Sequence, residues 1–165
     1  MKNNSTKLTI SADFEVYKSA DDLPLEEQEL LSQAKKASKS AYAPYSHFHV
    51  GAAILLQNGE IVTGNNQENA AYPSGLCAER VALFYANAKY PDVGVKMLAV
   101  SVKADHQIIS EPVSPCGSCR QVIAEYENLF QSPIRIIMSG ETGKVVMSGS
   151  IADLLPFAFN KQHLK

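Results

Sequence analysis

The cysteines restrict this chain more than any other feature. Cys116 and Cys119 stand one helical turn apart directly behind Pro115, and Cys77 stands two residues ahead of Glu79. Three cysteines cannot close into a complete disulfide set, and a Cys-x-x-Cys pair suits a metal or redox site better than a staple. Reduced thiols are expected, and a fold that uses all three must bring two distant segments together.

With 165 residues, 45% of them hydrophobic, the chain is long enough to close one sizeable core and too apolar for a disordered segment. Fifteen basic against 17 acidic residues leave a net charge of −2. That balance lacks the basic excess that grips a nucleic-acid polymer or an anionic membrane, so a small substrate is expected. Residues 1–6 show no apolar run behind their charge, and the longest apolar stretch, Val50 to Leu56, is too short to span a bilayer. The chain reads as cytoplasmic, with an N-terminal extension over 1–23 and a single domain over 24–165.

Partial alternation over residues 7–17 suggests an edge strand. Pro24 opens an amphipathic helix, with Leu30, Leu31, Ala34, Ala37 and Ala41 on one stripe, that must end before Pro44. Phe48 to Leu56 reads as a strand turning at Asn58-Gly59 into Ile61-Val62-Thr63, a strong hairpin signal. Cys77 to Phe84 predicts a buried helix with Cys77 and Glu79 in its first turn. Met97 to Val102 is a strand, and Pro115 precedes a further helix that begins at the cysteine pair. Ile134–Met138 and Lys144–Met147 read as strands about a Gly140–Gly143 turn, and a short helix runs from Ser150 to Pro156. The order predicts an α/β fold in three layers, α/β/α, with a mixed sheet of about five strands. Helix N-termini then gather at one sheet edge, where open α/β sheets bind ligands, and the two cysteine clusters can meet.

Three thiolates suit Zn²⁺, and three protein ligands leave a fourth position open for water. The i, i+3 spacing puts Cys116 and Cys119 on one helix face, and a helix N-terminus favours the thiolate. Three thiolates on one dication weaken it as a Lewis acid; Arg80, three residues beyond Cys77, can donate to a sulfur and offset that charge. Glu79 is near enough to shuttle protons without being a ligand, and ligand-x-Glu followed by Pro-Cys-x-x-Cys is the arrangement of the zinc deaminases.

Other readings stand beside each of these. Cys77 could be a small buried hydrophobe, and the Cys116/Cys119 pair a structural zinc site or a redox dithiol. A closed site needs a fourth ligand, however, and a redox pair leaves Cys77, Glu79 and Arg80 unexplained. Glu68 could be a solvated loop acid, or with Asn66 could grip a sugar hydroxyl. His47, His49, His106 and His163 read as surface or hydrogen-bonded residues, not ligands. Phe157 and Phe159 read as core or interface residues.

From about Gln28 to Phe159 the sequence resembles the small cytidine deaminases, zinc enzymes of free pyrimidine nucleoside salvage. The resemblance is carried by Tyr45-Ser46-His47-Phe48-His49-Val50-Gly51-Ala52-Ala53, Gly64-Asn65-Asn66-Gln67-Glu68-Asn69-Ala70-Ala71-Tyr72, Cys77-Ala78-Glu79-Arg80 and Pro115-Cys116-Gly117-Ser118-Cys119-Arg120-Gln121. It implies the cytidine deaminase-like fold, one Zn²⁺ per subunit on Cys77, Cys116 and Cys119, Glu79 as proton shuttle, and Arg80 moderating thiolate charge. It further implies that Asn66 and Glu68 hold ribose hydroxyls, that Phe48 lines the nucleoside pocket, and that the Ala78 backbone contacts the base carbonyl. Phe159 would pack against the base in a neighbouring subunit of a homotetramer with shared active sites.

The implied reaction is hydrolytic deamination of free cytidine and deoxycytidine to uridine and deoxyuridine with release of ammonia. Gln67 and Phe157 depart from the family's usual residues, and the segment to about Leu23 has no clear counterpart. Relatives acting on polynucleotides or nucleotides generally carry histidine as first ligand, where this chain has Cys77, and Glu68 would repel a phosphate near the sugar. Two alternatives remain: deamination of a cytosine-bearing antibiotic, against which Asn66 and Glu68 argue, and a non-catalytic zinc module that organises an interface.

Overall fold

A computed structural model describes residues 5–164; the readings of residues 1–4, and the domain bounds at 1 and 165, lie outside them. The described chain runs β1 (Phe14–Tyr17), α1 (Leu25–Ser38), β2 (Phe48–Leu56), β3 (Ile61–Asn65), α2 (Ala78–Lys89), β4 (Val95–Ala104), α3 (Gly117–Phe130), β5 (Arg135–Ser139) and β6 (Val145–Ser148). The strands form one mixed sheet of six in the order β1-β6-β5-β4-β2-β3. The expected strands are present, and the edge strand adds the sixth. Only its last four residues join the sheet, pairing antiparallel with β6 from Phe14↔Ser148 to Tyr17↔Val145.

The sheet is covered on both faces, which explains why β2 and β4 are apolar without interruption. Ala52, Ile54 and Leu56 of β2 and Leu98 and Val100 of β4 pack with Ala82, Leu83, Ile123 and Ala124 of α2 and α3. Ala53, Leu55, Met97 and Ala99, of opposite parity, pack with Leu30, Leu31 and Ala34 of α1. Helix α1 ends at Ser38, short of Ala41, and its stripe is finished by buried Ser38 and Glu27, the latter ion-paired with Arg135 of β5. The β2–β3 hairpin turns at Gly59, whose φ of 87° is open to glycine. The expected C-terminal helix shrinks to a 3-10 turn over Ile151–Asp153, capped by the Ser150 side chain accepting from the Ala152 N–H. None of the helices among the described residues is long and apolar enough to cross a membrane.

Two crossovers locate the functional end of the sheet. Strands β3 and β4 are both antiparallel to β2 and so run the same way, with α2 between them in sequence. Strand β4 is parallel to β5, with α3 between. Both helices therefore begin just beyond strand C-terminal ends, beside the start of β2.

Candidate active site

Cys77 and Cys116 occupy the same local position, the extended N-cap residue of α2 and of α3, with φ/ψ of −72°/152° and −66°/167°. Cys77 thus sits one residue ahead of the expected first turn. Neither sulfur caps its own helix. Both are left free to face each other beside the first-turn N–H groups, whose partial positive charge favours thiolates. Cys119 follows on the first turn of α3 and is buried.

The Cys77 and Cys116 sulfurs are 3.8 Å apart and those of Cys116 and Cys119 3.5 Å, and all three ligand atoms lie within 4.8 Å of one another. Ligands about 2.3 Å from a tetrahedral zinc are separated by about 3.8 Å, so this triad has the spacing and the soft donor set of a three-thiolate zinc site. Arg80 Nη2 donates to Cys77 Sγ at 3.6 Å, while Arg80 Nε is buried without a partner among the described residues. Hydrogen bonding with Cys119, helped by Arg80 and Cys116, holds the Cys77 thiol down at about 5. Its hydrogen bond with Cys77 and burial push the Cys119 thiol up, so between these two the negative charge settles on Cys77.

Glu79, in the first turn of α2, is 4% exposed yet lines the adjoining cleft. Burial pushes its carboxyl up, and the charge on Cys77 adds to that effect. A carboxyl that holds its proton more readily beside a metal triad suits proton transfer.

The cleft encloses about 770 Å³. Phe48, Asn66, Glu68, Cys77, Glu79, Arg80 and Cys116 all line it, so most of the expected site residues meet in one place. Asn66 is partly committed: Oδ1 accepts from the Val50 N–H at 2.8 Å and Nδ2 donates to the Phe48 carbonyl at 2.9 Å. Glu68 Oε2 accepts from the N–H groups of Tyr45 at 2.9 Å and Ser46 at 3.3 Å. The Ser46 hydroxyl and these N–H groups hold its carboxyl below the usual range. Ala78 is fully buried, and as the first residue of α2 its N–H has no intrahelical acceptor.

Phe159 does not line this cleft. It is 55% exposed, stacked on His163, and bracketed by Gln121, which donates to its carbonyl at 2.6 Å and accepts from its N–H at 3.2 Å. Three further cleft residues, Tyr45, Tyr72 and Val113, were not singled out from sequence. Tyr45 and Tyr72 open and close the segments 45–53 and 64–72 respectively, whereas Val113 is a loop residue with no local signal.

Residues 25–129 match the family model of the cytidine and deoxycytidylate deaminase zinc-binding region. The chain is 43% identical over 138 residues to the cytidine deaminase of Sporosarcina psychrophila, covering 83% of this chain and 93% of that protein. It is 38% identical over 140 residues to the cytidine deaminase of Halalkalibacterium halodurans, covering 85% and 98%. Among solved structures, the cytidine deaminase of Burkholderia pseudomallei superimposes with a TM-score of 0.70 at 39% identity, covering 79% of this chain and 97% of that one.

Proposed function

The chain belongs to the family of zinc-dependent cytidine deaminases, and from that premise we propose how its residues deaminate free cytidine and deoxycytidine. The observation that carries the proposal is the cluster of three sulfurs of which Cys77 and Cys116, together with buried Glu79, line a cleft shared with Phe48, Asn66 and Glu68. Cys77, Cys116 and Cys119 would hold one zinc ion. When bound, zinc supplies the Lewis acidity that makes water a nucleophile at neutral pH. Arg80 draws charge from Cys77, so the three thiolates quench that acidity less.

Glu79 carries the protons. From its buried, proton-holding state it protonates N3 of the cytosine ring, which makes C4 electrophilic, and it then passes a second proton, taken from the attacking water, to the exocyclic amine. Water oxygen joins C4, the C4–N bond breaks, ammonia leaves, the remaining water proton returns to Glu79, and the uracil ring remains. The Ala78 N–H faces the base carbonyl, and Phe48 packs on the nucleoside. The ribose is held by the remaining Nδ2 hydrogen of Asn66 and by Oε1 of Glu68. The Glu68 charge disfavours substrates with phosphate on the sugar.

We assign this chemistry to a cytoplasmic enzyme of pyrimidine salvage, with residues 24–165 as the catalytic domain and 1–23 as an extension. Exposed Phe84, Tyr85, Phe157 and Phe159 support self-association as a homotetramer in which Phe159 completes a neighbour's cleft. The test is incubation with cytidine and with deoxycytidine, followed by ultraviolet absorbance and ammonia release, with Glu79→Ala alongside at equal zinc content. Turnover in the native protein and near-abolition in the variant are expected. No turnover on either nucleoside by folded, zinc-loaded protein overturns the proposal.

A further inference from the structure

We propose that Asp105 is a positioning residue for nucleoside binding: its carboxylate ties His47 to His49, the two residues that flank Phe48, and thereby fixes how the Phe48 ring faces the cleft. This inference rests on the reading of the cleft as a nucleoside site.

The start of β2 needs such a tie. The β2–β3 ladder stops at Gly51↔Asn65, so Phe48, His49 and Val50 project past it and are held on that side by the Asn66 backbone and side chain. On the other side the β4 ladder ends at Phe48↔Ala104, and Asp105 is the next residue. His47 leaves the strand with φ 54°, a left-handed conformation that residues with a β-carbon rarely adopt. Its N–H donates to the Ala43 carbonyl at 3.1 Å, and the Asp105 N–H donates to the His47 carbonyl at 3.2 Å.

The Asp105 side chain closes the arrangement. Oδ2 lies 3.4 Å from His47 Nδ1, and Oδ1 lies 3.2 Å from His49 Nε2, one oxygen for each imidazole. His49 and Phe48 are successive strand residues and point to opposite sides, so tying His49 to His47, just outside the strand, sets the twist of the strand end that aims residue 48. Phe48 lines the cleft, whereas His47, His49 and Asp105 do not. The bracket therefore acts through Phe48, and it touches neither the cysteine triad nor Glu79. Its loss should fall on KM and leave kcat nearly unchanged.

Steady-state kinetics of the zinc-loaded protein on cytidine test this with native protein, Asp105→Ala, His49→Ala and the double variant. Two exposed contacts of this type correspond to about a three- to tenfold rise in KM for Asp105→Ala, with kcat within about twofold. The double variant should lose less than the product of the single losses, because the two residues act as one unit. Asp105→Asn preserves volume and one acceptor and should fall between native and Asp105→Ala; it carries the test if the alanine variant does not fold. An unchanged KM in an active, folded Asp105 variant, a loss confined to kcat, or single losses that multiply in the double variant would each overturn the inference while the deaminase reading stands. Absence of turnover in the native protein would instead overturn that reading, and this inference with it.

Discussion

Charge at the cleft is controlled residue by residue. Arg80 donates to the sulfur of Cys77, whose thiol is held down at about 5, and replacing it removes a cation bonded to the triad. Arg80→Gln is expected to lower kcat about 10- to 100-fold, as is usual when a metal ligand loses its outer partner, with zinc affinity, measured by competition with a chromophoric chelator, falling alongside. Glu68 makes a different prediction. Its carboxyl lies below the usual range, chiefly through the Ser46 hydroxyl, so its charge is present at neutral pH and is lost only as pH falls through that lowered value. Carbon NMR should find the Glu68 midpoint below that of an unperturbed glutamate, and Ser46→Ala should move it upward. The grouping of the three cysteines with Glu79 and Arg80 was legible in the sequence because metal chemistry demands fixed residue types at fixed helical spacing. Asp105 was not: its partners come from a different strand, and only the β2–β4 register brings it to them.

Two glycines set how closely the helices approach the sheet. A β-carbon on Gly51 would overlap the Ala34 carbonyl and the Ser38 amide of α1, and one on Gly64 the Ala82 amide and Ala78 carbonyl of α2. These are backbone atoms within helices and cannot yield as a side-chain tip would. Each glycine-to-alanine change should therefore cost roughly 2–4 kcal/mol in urea unfolding. Because α2 carries Cys77 and Glu79, Gly64→Ala should also weaken zinc retention, an effect that Gly51→Ala should lack. Elements with strong local signals were read nearly to the residue: β2 by its apolar run, the hairpin by Asn58-Gly59, and α3 by Pro115 ahead of its cysteines. Weakly signalled ones were overread. Of residues 7–17 only Phe14–Tyr17 find a partner, in β6, and the segment before Pro156 closes as a single 3-10 turn.

Across the whole molecule, the C-terminal segment and the metal helix are tied together. Arg120, next to Cys119, donates through Nε to the Pro115 carbonyl at 2.8 Å, through Nη1 to the Leu154 carbonyl at 2.8 Å and through Nη2 to Ser114 Oγ at 2.9 Å. Removing zinc leaves the three sulfurs crowded and shifts stability by mass action. The chelated protein should thus melt several degrees lower, and added zinc should restore the transition in calorimetry. We propose that one zinc ion on Cys77, Cys116 and Cys119 makes this chain a cytidine deaminase, and a titration of metal-free protein with zinc that follows uridine formation from cytidine tests it. Activity should rise in proportion to zinc and level off at one ion per chain, with one ammonia released per uridine, and Cys119→Ser should neither retain the ion nor turn over. Turnover without zinc, or a fully loaded and folded protein that leaves cytidine unchanged, would contradict the account.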